Sequence, residues 1–278
     1  MSKIAPLVSI CIPAYLGAKY IAVTINSVLN QTFNGFELLI IDDNSCDSTL
    51  AEVMQFSDSR IRVLKNESNI GAQENWNRCL GEARGKYIKL LPQDDLLVPS
   101  CLERQVEIFE DGAMRKIELI FCARTIVNAE NRPICLRAYP SASSGIIHAH
   151  SIMRTCIRRG TNLIGEPGAV LFRAETARAI GGFDADIPYV IDLDYWFRLL
   201  LRGDAYYFSD AQSSFRISEG SWSVAIGAGQ SENYRRFIRK ICDSPEFSIN
   251  RLDNISGVIM ATLNNFARLA FYRRILHG

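Results

Sequence analysis

The sequence predicts an α/β protein with a Rossmann-like, mostly parallel central sheet flanked by helices on both faces. Short apolar runs alternate with longer stretches whose apolar residues recur every three or four positions, which is the pattern of repeated βαβ units. Two of these apolar runs end abruptly in a pair of aspartates. The chain has 278 residues, of which 48% are hydrophobic, so it is long enough for one large domain or one domain with an appendage.

The first hundred residues contain the clearest alternation. Apolar runs predict strands at residues 7–13, 38–41, 61–64 and 86–91. Helical periodicity between them gives two apolar faces, made by Ile21, Ile25, Val28 and Leu29 and by Trp76, Cys79, Leu80 and Ala83. Strands joined through helices in this way are expected to run parallel in one sheet.

Two acidic pairs follow the second and the fourth predicted strands. Asp42 and Asp43 come directly after the run that ends at residue 41, and Asp94 and Asp95 follow the last strand. Ligands bind at the carboxyl ends of strands in open α/β sheets, and two acidic pairs at one edge would repel each other. The pairs therefore indicate a site for a cation or a donor-rich ligand, although Asp42 and Asp43 are also typical turn and cap residues.

The second half is less regular. A clear helix covers residues 192–201, and late strands are predicted at residues 205–208 and 213–217. The predicted buried face of this helix, at residues 192–201, consists of Leu193, Trp196, Phe197, Leu200 and Leu201.

Two further helices are predicted near the end of the chain, at residues 233–242 and from about residue 256. Ile259, Leu263, Phe266 and Ala270 share a face of the last helix. Residues 234–278 contain eight Arg and Lys against three Asp and Glu. The favoured interpretation is a helix that packs on the domain and leaves its basic side in solvent, and the alternative is a patch that binds a membrane surface.

Net charge, cysteine spacing and the N-terminal sequence indicate which partners and which compartment to expect. The formal net charge is +1, so no global charge suggests a nucleic-acid partner. Eight cysteines show neither a CxxC pair nor metal-ligand spacing. No signal peptide precedes the first strand, and no uncharged run reaches the ~18 residues of a membrane span. These observations predict a cytoplasmic protein with reduced thiols.

Four segments, taken together in this order, resemble the family 2 glycosyltransferases, which are inverting enzymes of the GT-A fold. They are residues 8–15 (VSICIPAY), 27–45 (with SVLNQTF and LIIDDNS), 90–99 (LLPQDDLLVP) and 181–196 (with GGFD and DLDYW). The resemblance covers roughly residues 7–220. It implies a catalytic domain at residues 1–228, with a nucleotide-sugar half (1–100) and an acceptor half (101–228), followed by a helical basic extension at residues 229–278.

The resemblance implies a donor site at the first two strand ends. Tyr15 would stack on the nucleoside base and Asp43 would accept a hydrogen bond from a uracil-like edge, which suits a UDP- or dTDP-sugar. Pro13 and Ala14 would line the same wall. The segment that contains Asp94 and Asp95 sits where the family carries its DxD motif. Both carboxylates are therefore candidate ligands of a divalent cation, Mn²⁺ or Mg²⁺, that binds the donor diphosphate.

The resemblance also implies a catalytic base. The family's Glu-Asp motif at a helix start matches Ile191 and Asp192, which makes Asp192 the candidate base and Asp194 the reserve. As an alternative, Asp192 is a good helix N-cap. Three departures from the family pattern concern the metal and base sites: Pro92 replaces the first Asp of DxD, Ile191 replaces Glu, and Ser218 replaces a histidine. Weaker candidates are Glu166, as a sugar contact, and Trp222, as a lid residue.

The predicted function is transfer of a sugar from a nucleotide-sugar donor to a hydroxyl acceptor with inversion. The acceptor is expected to be a glycan or lipid-linked glycan of a bacterial surface polysaccharide, reached through peripheral membrane contact of the basic C-terminal helices. One alternative is a non-catalytic sugar-nucleotide or glycan-binding module on the same fold. A nucleotidyltransferase is a second alternative, but the Gly-rich, basic phosphate loop of that class is missing here.

Overall fold

The computed structural model describes residues 5–218 and 227–277. Trp222 therefore lies outside the described residues, and its assignment as a lid residue stays a prediction. The described strands form one sheet of ten. They are β1 (Val8–Ala14), β2 (Phe36–Asp42), β3 (Ile61–Lys65), β4 (Tyr87–Leu90), β5 (Leu96–Leu97), β6 (Ile117–Val127), β7 (Pro133–Arg137), β8 (Gly145–Ile147), β9 (Val170–Arg173) and β10 (Asp204–Arg216).

The strand order along the sheet is β3-β2-β1-β4-β9-β6-β10-β5, with β7 paired to β6 and β8 to β10. The first four strands are parallel, as the sequence predicts, and β10 runs parallel to β6. Strand β9 is antiparallel to both of its neighbours, so it joins the parallel first half to the second half. The predicted α/β class with a mostly parallel central sheet is confirmed.

The two late strands predicted from the sequence are one strand, β10. Its pairing with β6 changes register between Phe208 and Ala211 and again between Ala211 and Ser213. Extra residues at these points form a bulge, which breaks the alternation of buried and exposed side chains. The break in that pattern gives one strand the sequence signature of two.

Nine α-helices surround the sheet in the described part of the chain. They are α1 (Ile21–Leu29), α2 (Thr49–Val53), α3 (Ala72–Glu82), α4 (Cys101–Glu110), α5 (Ala149–Arg159), α6 (Ala174–Ile180), α7 (Ile191–Leu200), α8 (Gln230–Asp243) and α9 (Arg251–His277). Two large apolar cores lie on the two faces of the sheet, and α7 and α8 contribute Trp196 and Phe237 to one of them. Among the described residues, no helix has both the length and the apolar character needed to cross a bilayer.

Helix α9 packs on the domain, but not through the apolar face that the sequence suggests. Ile259, Leu263, Phe266 and Ala270 are all exposed, and Phe266 retains 69% of its accessible surface. The packed face instead carries small and polar residues, because the backbone of Ala261 comes so close to Gly160 that a Cβ there would lie 2.3 Å from its nitrogen. The prediction that α9 packs is correct, and the face inferred from apolar periodicity is wrong.

Candidate functional site

The carboxyl ends of β1, β2 and β4 lie together at one edge of the sheet. The N–H of Asp43 donates to the carbonyl of Ala14 at 2.7 Å, which continues the β1–β2 pairing past the strand ends. The side chain of Gln93 clamps the backbone of Tyr15, accepting from its N–H at 2.9 Å and donating to its carbonyl at 2.8 Å. Tyr15 is 44% exposed, so its ring is accessible to a flat ligand. The predicted donor residues Pro13, Ala14, Tyr15 and Asp43 are therefore adjacent.

The carboxylate of Asp43 is buried and already bonded within the protein. It accepts hydrogen bonds from the N–H groups of Ile70 and Gly71, each at 2.9 Å, and from the amide of Asn66. These bonds hold the loop that leads into α3 against the end of β2. A carboxylate has about four acceptor sites, so Asp43 retains capacity for one more donor. Its role as a base-binding residue stays a prediction.

One carboxylate oxygen of the buried Asp42 is an unsatisfied hydrogen-bond acceptor within the part of the chain that the structure describes. Asp42 is 1% exposed, and its Oδ2 accepts from the N–H of Ser45 at 3.2 Å. The other oxygen, Oδ1, has no hydrogen-bond partner among the described residues. An orphaned buried acceptor is rare and favours a site that a ligand or water completes.

Asp94 and Asp95 have different surroundings. Asp95 is buried, and its Oδ1 accepts from the backbone N–H of Arg216 at 3.0 Å. The half-buried Asp94 carboxylate receives no hydrogen bond from any other described residue, while its carbonyl accepts from Arg216 Nε at 2.8 Å. Burial raises the pKa of both carboxyl groups, and the Asp94 charge raises that of Asp95 further.

These surroundings fit a divalent cation held mainly by Asp94. Mg²⁺ and Mn²⁺ sites in nucleotide enzymes use one or two carboxylates, with phosphate oxygens and water as the remaining ligands. Asp94 supplies an available carboxylate, and Asp95 is positioned beside it by Arg216. No cluster of three or more His, Cys, Asp or Glu side chains occurs in residues 5–218 and 227–277, so phosphate and water would have to complete the shell.

Three neighbouring cavities lie beside Asp94, and the central one shares wall residues with each of the other two. The central cavity, of about 200 Å³, has both Asp94 and Asp192 in its wall. We name the cavity of about 550 Å³ that shares Asp94 with it the donor-side cavity, because Leu16 and Gln93, next to the predicted donor residue Tyr15, line it. We name the cavity of about 460 Å³ that shares Asn162, Arg137 and Arg268 with it the acceptor-side cavity. The structure thus brings the predicted metal ligand and the predicted base to one cavity, from opposite halves of the chain.

Asp192 lies in the first turn of α7 and is not its N-cap, since the helix begins at Ile191. Its Oδ1 accepts from the N–H of Leu193 at 2.7 Å and its Oδ2 from the amide of Asn162 at 2.9 Å. Burial, and secondly the charge of Glu166, raise the pKa of Asp192 to about 7. A carboxyl group of that pKa can take a proton near neutral pH.

The reserve candidate, Asp194, is paired within the protein. It accepts from Arg198 at 2.9 Å and from Lys240 at 2.7 Å, so it links α7 to α8. It is absent from the walls of all three cavities. Between Asp192 and Asp194, the geometry favours Asp192 as the residue that contacts a substrate.

Glu166 also lines the central cavity, where it pairs with Arg124 at 2.5 Å. Burial opposes ionisation of Glu166, yet the charges of Arg124 and Arg137 hold its pKa below the ordinary value. Glu166 precedes a short turn whose position is fixed by Lys89, a fully buried residue that donates to the carbonyls of Gly168 and Val170.

The three departures from the family pattern fall around the same cavities. Pro92 and Ile191 contribute apolar surface to the wall of the central cavity, and Ser218 lines the donor-side cavity. Sequence reasoning missed Gln93, Asn162, Arg137 and Arg268. Gln93 stands inside the acidic segment and could have been noticed, whereas Asn162 lies in a loop, Arg137 on β7 and Arg268 on α9, none of them in a motif.

Comparisons with known proteins identify the family to which this chain is similar. Residues 9–131 match Glycosyl transferase family 2. An uncharacterized protein of Mycobacterium tuberculosis is 33% identical over 71% of this chain. The Escherichia coli UDP-Glc:alpha-D-GlcNAc-diphosphoundecaprenol beta-1,3-glucosyltransferase WfgD is 43% identical over 37% of the chain. The chain spans 63% and 40% of the lengths of these two relatives. TuaG of Bacillus subtilis, named for teichuronic acid biosynthesis, is 28% identical over 81% of this chain and 86% of its own length.

Two solved structures share the fold. S. aureus TarS in complex with UDP-GlcNAc superposes with a TM-score of 0.69 at 18% identity, over 96% of this chain and 74% of TarS. The Pyrobaculum calidifontis mannosyltransferase PcManGT, in complex with GDP-Man and Mn²⁺, gives 0.62 at 14% identity, over 99% of this chain and 77% of that one. The chain thus has the GT-A fold and belongs to glycosyl transferase family 2, a family of transferase enzymes.

Proposed function

We propose that this chain transfers a sugar from a nucleotide-sugar donor to a hydroxyl acceptor with inversion at the anomeric carbon. The observation that carries the proposal is the central cavity, whose wall contains both Asp94 and Asp192. An inverting transfer needs a diphosphate-binding group on one side of the sugar and a base on the other. The neighbouring cavities provide a separate space on each side.

The proposed donor is a UDP- or dTDP-sugar bound at the edge formed by Pro13, Ala14, Tyr15 and Asp43. The exposed ring of Tyr15 supports stacking with a nucleoside base, and Asp43 retains an acceptor site. The donors named for TarS and WfgD are uridine nucleotides, whereas PcManGT is complexed with GDP-Man. The choice of nucleobase is therefore part of the proposal.

In the proposed reaction, the acceptor hydroxyl oxygen attacks the anomeric carbon from the side of Asp192. As the new C–O bond forms, the bond from that carbon to the diphosphate breaks, and the nucleoside diphosphate leaves with the electron pair. Asp192 accepts the hydroxyl proton, and its hydrogen bonds from Asn162 and Leu193 hold the carboxylate in place. Asp94, with Asp95 beside it, would hold a Mn²⁺ or Mg²⁺ ion, which when bound neutralises charge on the leaving diphosphate.

The proposed acceptor is a glycan or lipid-linked glycan of a bacterial surface polysaccharide, and the proposed location is the cytoplasmic face of the membrane. Helix α9 supports this with a continuous exposed apolar stripe, made by Leu252, Ile255, Ile259, Leu263 and Phe266. The exposed Arg251, Arg273 and Arg274 lie near its two ends. A helix with exposed apolar residues and arginines near its ends is suited to the interface of an anionic bilayer.

Nucleotide binding with and without Mn²⁺ tests the donor half of the proposal. UDP is expected to raise the thermal unfolding midpoint more with Mn²⁺ than without it, because a ligand that binds only the native state stabilises it. Asp94→Asn should abolish the Mn²⁺-dependent part. A folded protein that shows no shift with UDP, dTDP or GDP would contradict the proposal.

A further inference from the structure

The wall of the acceptor-side cavity carries an excess of positive charge. Three arginines line it, Arg124, Arg137 and Arg268, and none of the described residues in its wall is acidic. Arg137 and Arg268 also line the central cavity, so they stand between Asp192 and the acceptor-side space. Asp94 lines the central cavity together with Arg137 and Arg268 but does not line the acceptor-side cavity, so the two arginines also face a space that Asp94 does not reach.

The three arginines differ in their partners. Arg124 pairs with Glu166, and the charge of Arg137 also acts on that carboxylate. The guanidinium of Arg137, opposite Arg124 across the β6–β7 pairing, makes no hydrogen bond or ion pair with any described residue. Arg268 is 9% exposed, donates to the side-chain oxygen of Gln230, and lies over the ring of Tyr189 at 5.2 Å. Arg268 has no carboxylate partner in the described part of the chain.

Within residues 5–218 and 227–277, the three arginines share a single carboxylate, Glu166, so the group keeps a net positive charge that suits an anion. Arg268 is buried without a carboxylate partner among the described residues, and its guanidinium has five donors, of which one bonds Gln230. Guanidinium groups bind phosphate with paired, charge-assisted hydrogen bonds. We propose that Arg137 and Arg268 bind a phosphate or diphosphate group of the acceptor, so that this enzyme glycosylates a phosphate-bearing acceptor. This inference rests on the proposed function, because it assigns the substrate class of the same site.

The remaining walls suit a substrate with an apolar portion. Leu136, Leu163, Ala267 and Phe271 line the acceptor-side cavity, and Leu136 is 59% exposed at its edge. The cavity wall includes Asn264 and Ala267 of α9, which are next in sequence to Leu263 and Phe266 of the exposed apolar stripe. A lipid-linked sugar diphosphate would present its phosphates to the arginines and its hydrocarbon to this surface. A phosphodiester polymer offers the same phosphate chemistry without the hydrocarbon.

Titration calorimetry with three probes tests this proposal, both on the protein alone and on the protein with UDP and Mn²⁺. The probes are N-acetylglucosamine joined through a diphosphate to a short alkyl chain, the neutral alkyl glycoside of the same sugar, and a glycerol phosphate oligomer. The proposal requires that at least one phosphate probe bind and that it bind at least about tenfold more tightly than the neutral glycoside. Preference for the alkyl diphosphate identifies a lipid-linked source, and preference for the oligomer identifies a polymer.

The variants Arg137→Gln and Arg132→Gln supply the matched comparison. Arg132 is exposed on the same hairpin and lines none of the three cavities. Arg137→Gln should weaken the phosphate probe about 10- to 100-fold and leave UDP affinity within about twofold, while Arg132→Gln changes neither. Arg268→Lys keeps the charge at the buried site but loses the paired geometry, so it should also weaken the phosphate probe in a folded protein.

Three results would overturn the inference. Equal affinity for the neutral glycoside and the phosphate probes would show that the site does not recognise phosphate. An equal loss of UDP and probe affinity in Arg137→Gln would assign the arginine to the donor. Failure of both phosphate probes to bind the wild-type protein would leave the arginines with another role. If UDP itself does not bind, the proposed function fails, while the titrations on the protein alone still decide whether Arg137 forms a phosphate subsite.

Discussion

The amide of Asn162 donates a hydrogen bond to the Asp192 carboxylate at 2.9 Å. The side-chain oxygen of Asn162 in turn accepts a hydrogen bond from the backbone N–H of Gly165 at 2.9 Å, which fixes the orientation of the amide. Asn162 comes from the loop after α5 and Asp192 from the start of α7, so two separate elements position one carboxylate. A base must be held in one orientation to accept a proton during attack. This hydrogen bond makes Asn162 a positioning residue in the proposed reaction.

Replacement of Asp192 by Asn is expected to lower kcat by about 10²–10⁴-fold, which is the usual contribution of a positioned general base. UDP affinity should stay within about twofold, because Asp192 does not line the donor-side cavity. Steady-state kinetics and calorimetry measure the two effects. Asp194→Asn is the control: it removes the negative charge that pairs with Arg198 and Lys240 and should lower the unfolding midpoint, with little change in kcat at a temperature where it is folded. Full turnover in Asp192→Asn would refute the assignment.

The pH dependence of the reaction follows from the pKa of Asp192. Below about pH 7 the base is protonated, so log kcat/KM should fall with a slope of one as pH decreases. Glu166→Gln removes the neighbouring negative charge, which lowers the pKa of Asp192 and moves this acidic limb to lower pH. An acidic limb that does not move in Glu166→Gln would show that another group titrates.

The raised pKa of Asp192 also determines how the free energy of unfolding changes with pH. The folded-state pKa exceeds the ordinary value of 3.8, so the native state binds more protons than the unfolded state between those two values. Stability from this group is complete below about pH 4 and is lost as pH rises through about 7. Urea unfolding of wild type and Asp192→Asn at pH 5 and pH 8 should therefore show a relative gain for the variant at pH 8. A gain at pH 5 instead would contradict the shift.

Tyr15 is expected to act through its ring alone. Tyr15→Ala should weaken UDP about five- to 150-fold, since stacking of a base on an aromatic ring contributes about 1–3 kcal/mol. Its backbone is already held by Gln93, so the unfolding midpoint should hardly change. Val23→Ala, at a residue of α1 that is 42% exposed and lines none of the three cavities, serves as the control. Equal loss of affinity in both variants would show that the effect of Tyr15→Ala is not specific to its ring.

Much of this site is predictable from the sequence because its strands end in recognisable polar turns. The edges at Asp43 and Asp94 follow from apolar runs and their acidic endings, and Asp192 follows from the resemblance to the family's Glu-Asp motif at a helix start. Arg137 and Arg268 could not be predicted, because each is an isolated arginine whose role depends on tertiary contacts between a hairpin and a distant helix. Residue identity also could not show that Asp194, two positions from Asp192, pairs with Lys240.

The orientation of α9 eluded prediction for a different reason. Apolar periodicity marks the face of a helix that avoids water, and the usual explanation is contact with the core. Here the core contact is a close backbone approach through Gly160, Gly257 and Ala261, which leaves no periodic apolar signal. The apolar residues on the opposite face remain exposed.

That close approach gives a stability prediction. Gly160→Ala should destabilise the fold by about 1–3 kcal/mol, because φ at this position is 59° and the added Cβ would meet the α9 backbone. Gly81→Ala is the matched control: it lies within α3, has nothing within 4 Å of the new Cβ, and should stabilise by about 0.5–1 kcal/mol. Chemical denaturation measures both, and a neutral Gly160→Ala would disprove tight packing of α9 there.

The division of the cavity walls has an evolutionary consequence. Strands β1, β2 and β4 lie in the segment that matches the family and hold the predicted donor residues, whereas the loop at Asn162, strand β7 and helix α9 line the acceptor-side cavity. Under the proposed function, sequence change in this later segment would alter the acceptor and leave the donor unchanged. Exchange of β7 and α9 between relatives would then give new acceptors for the same donor.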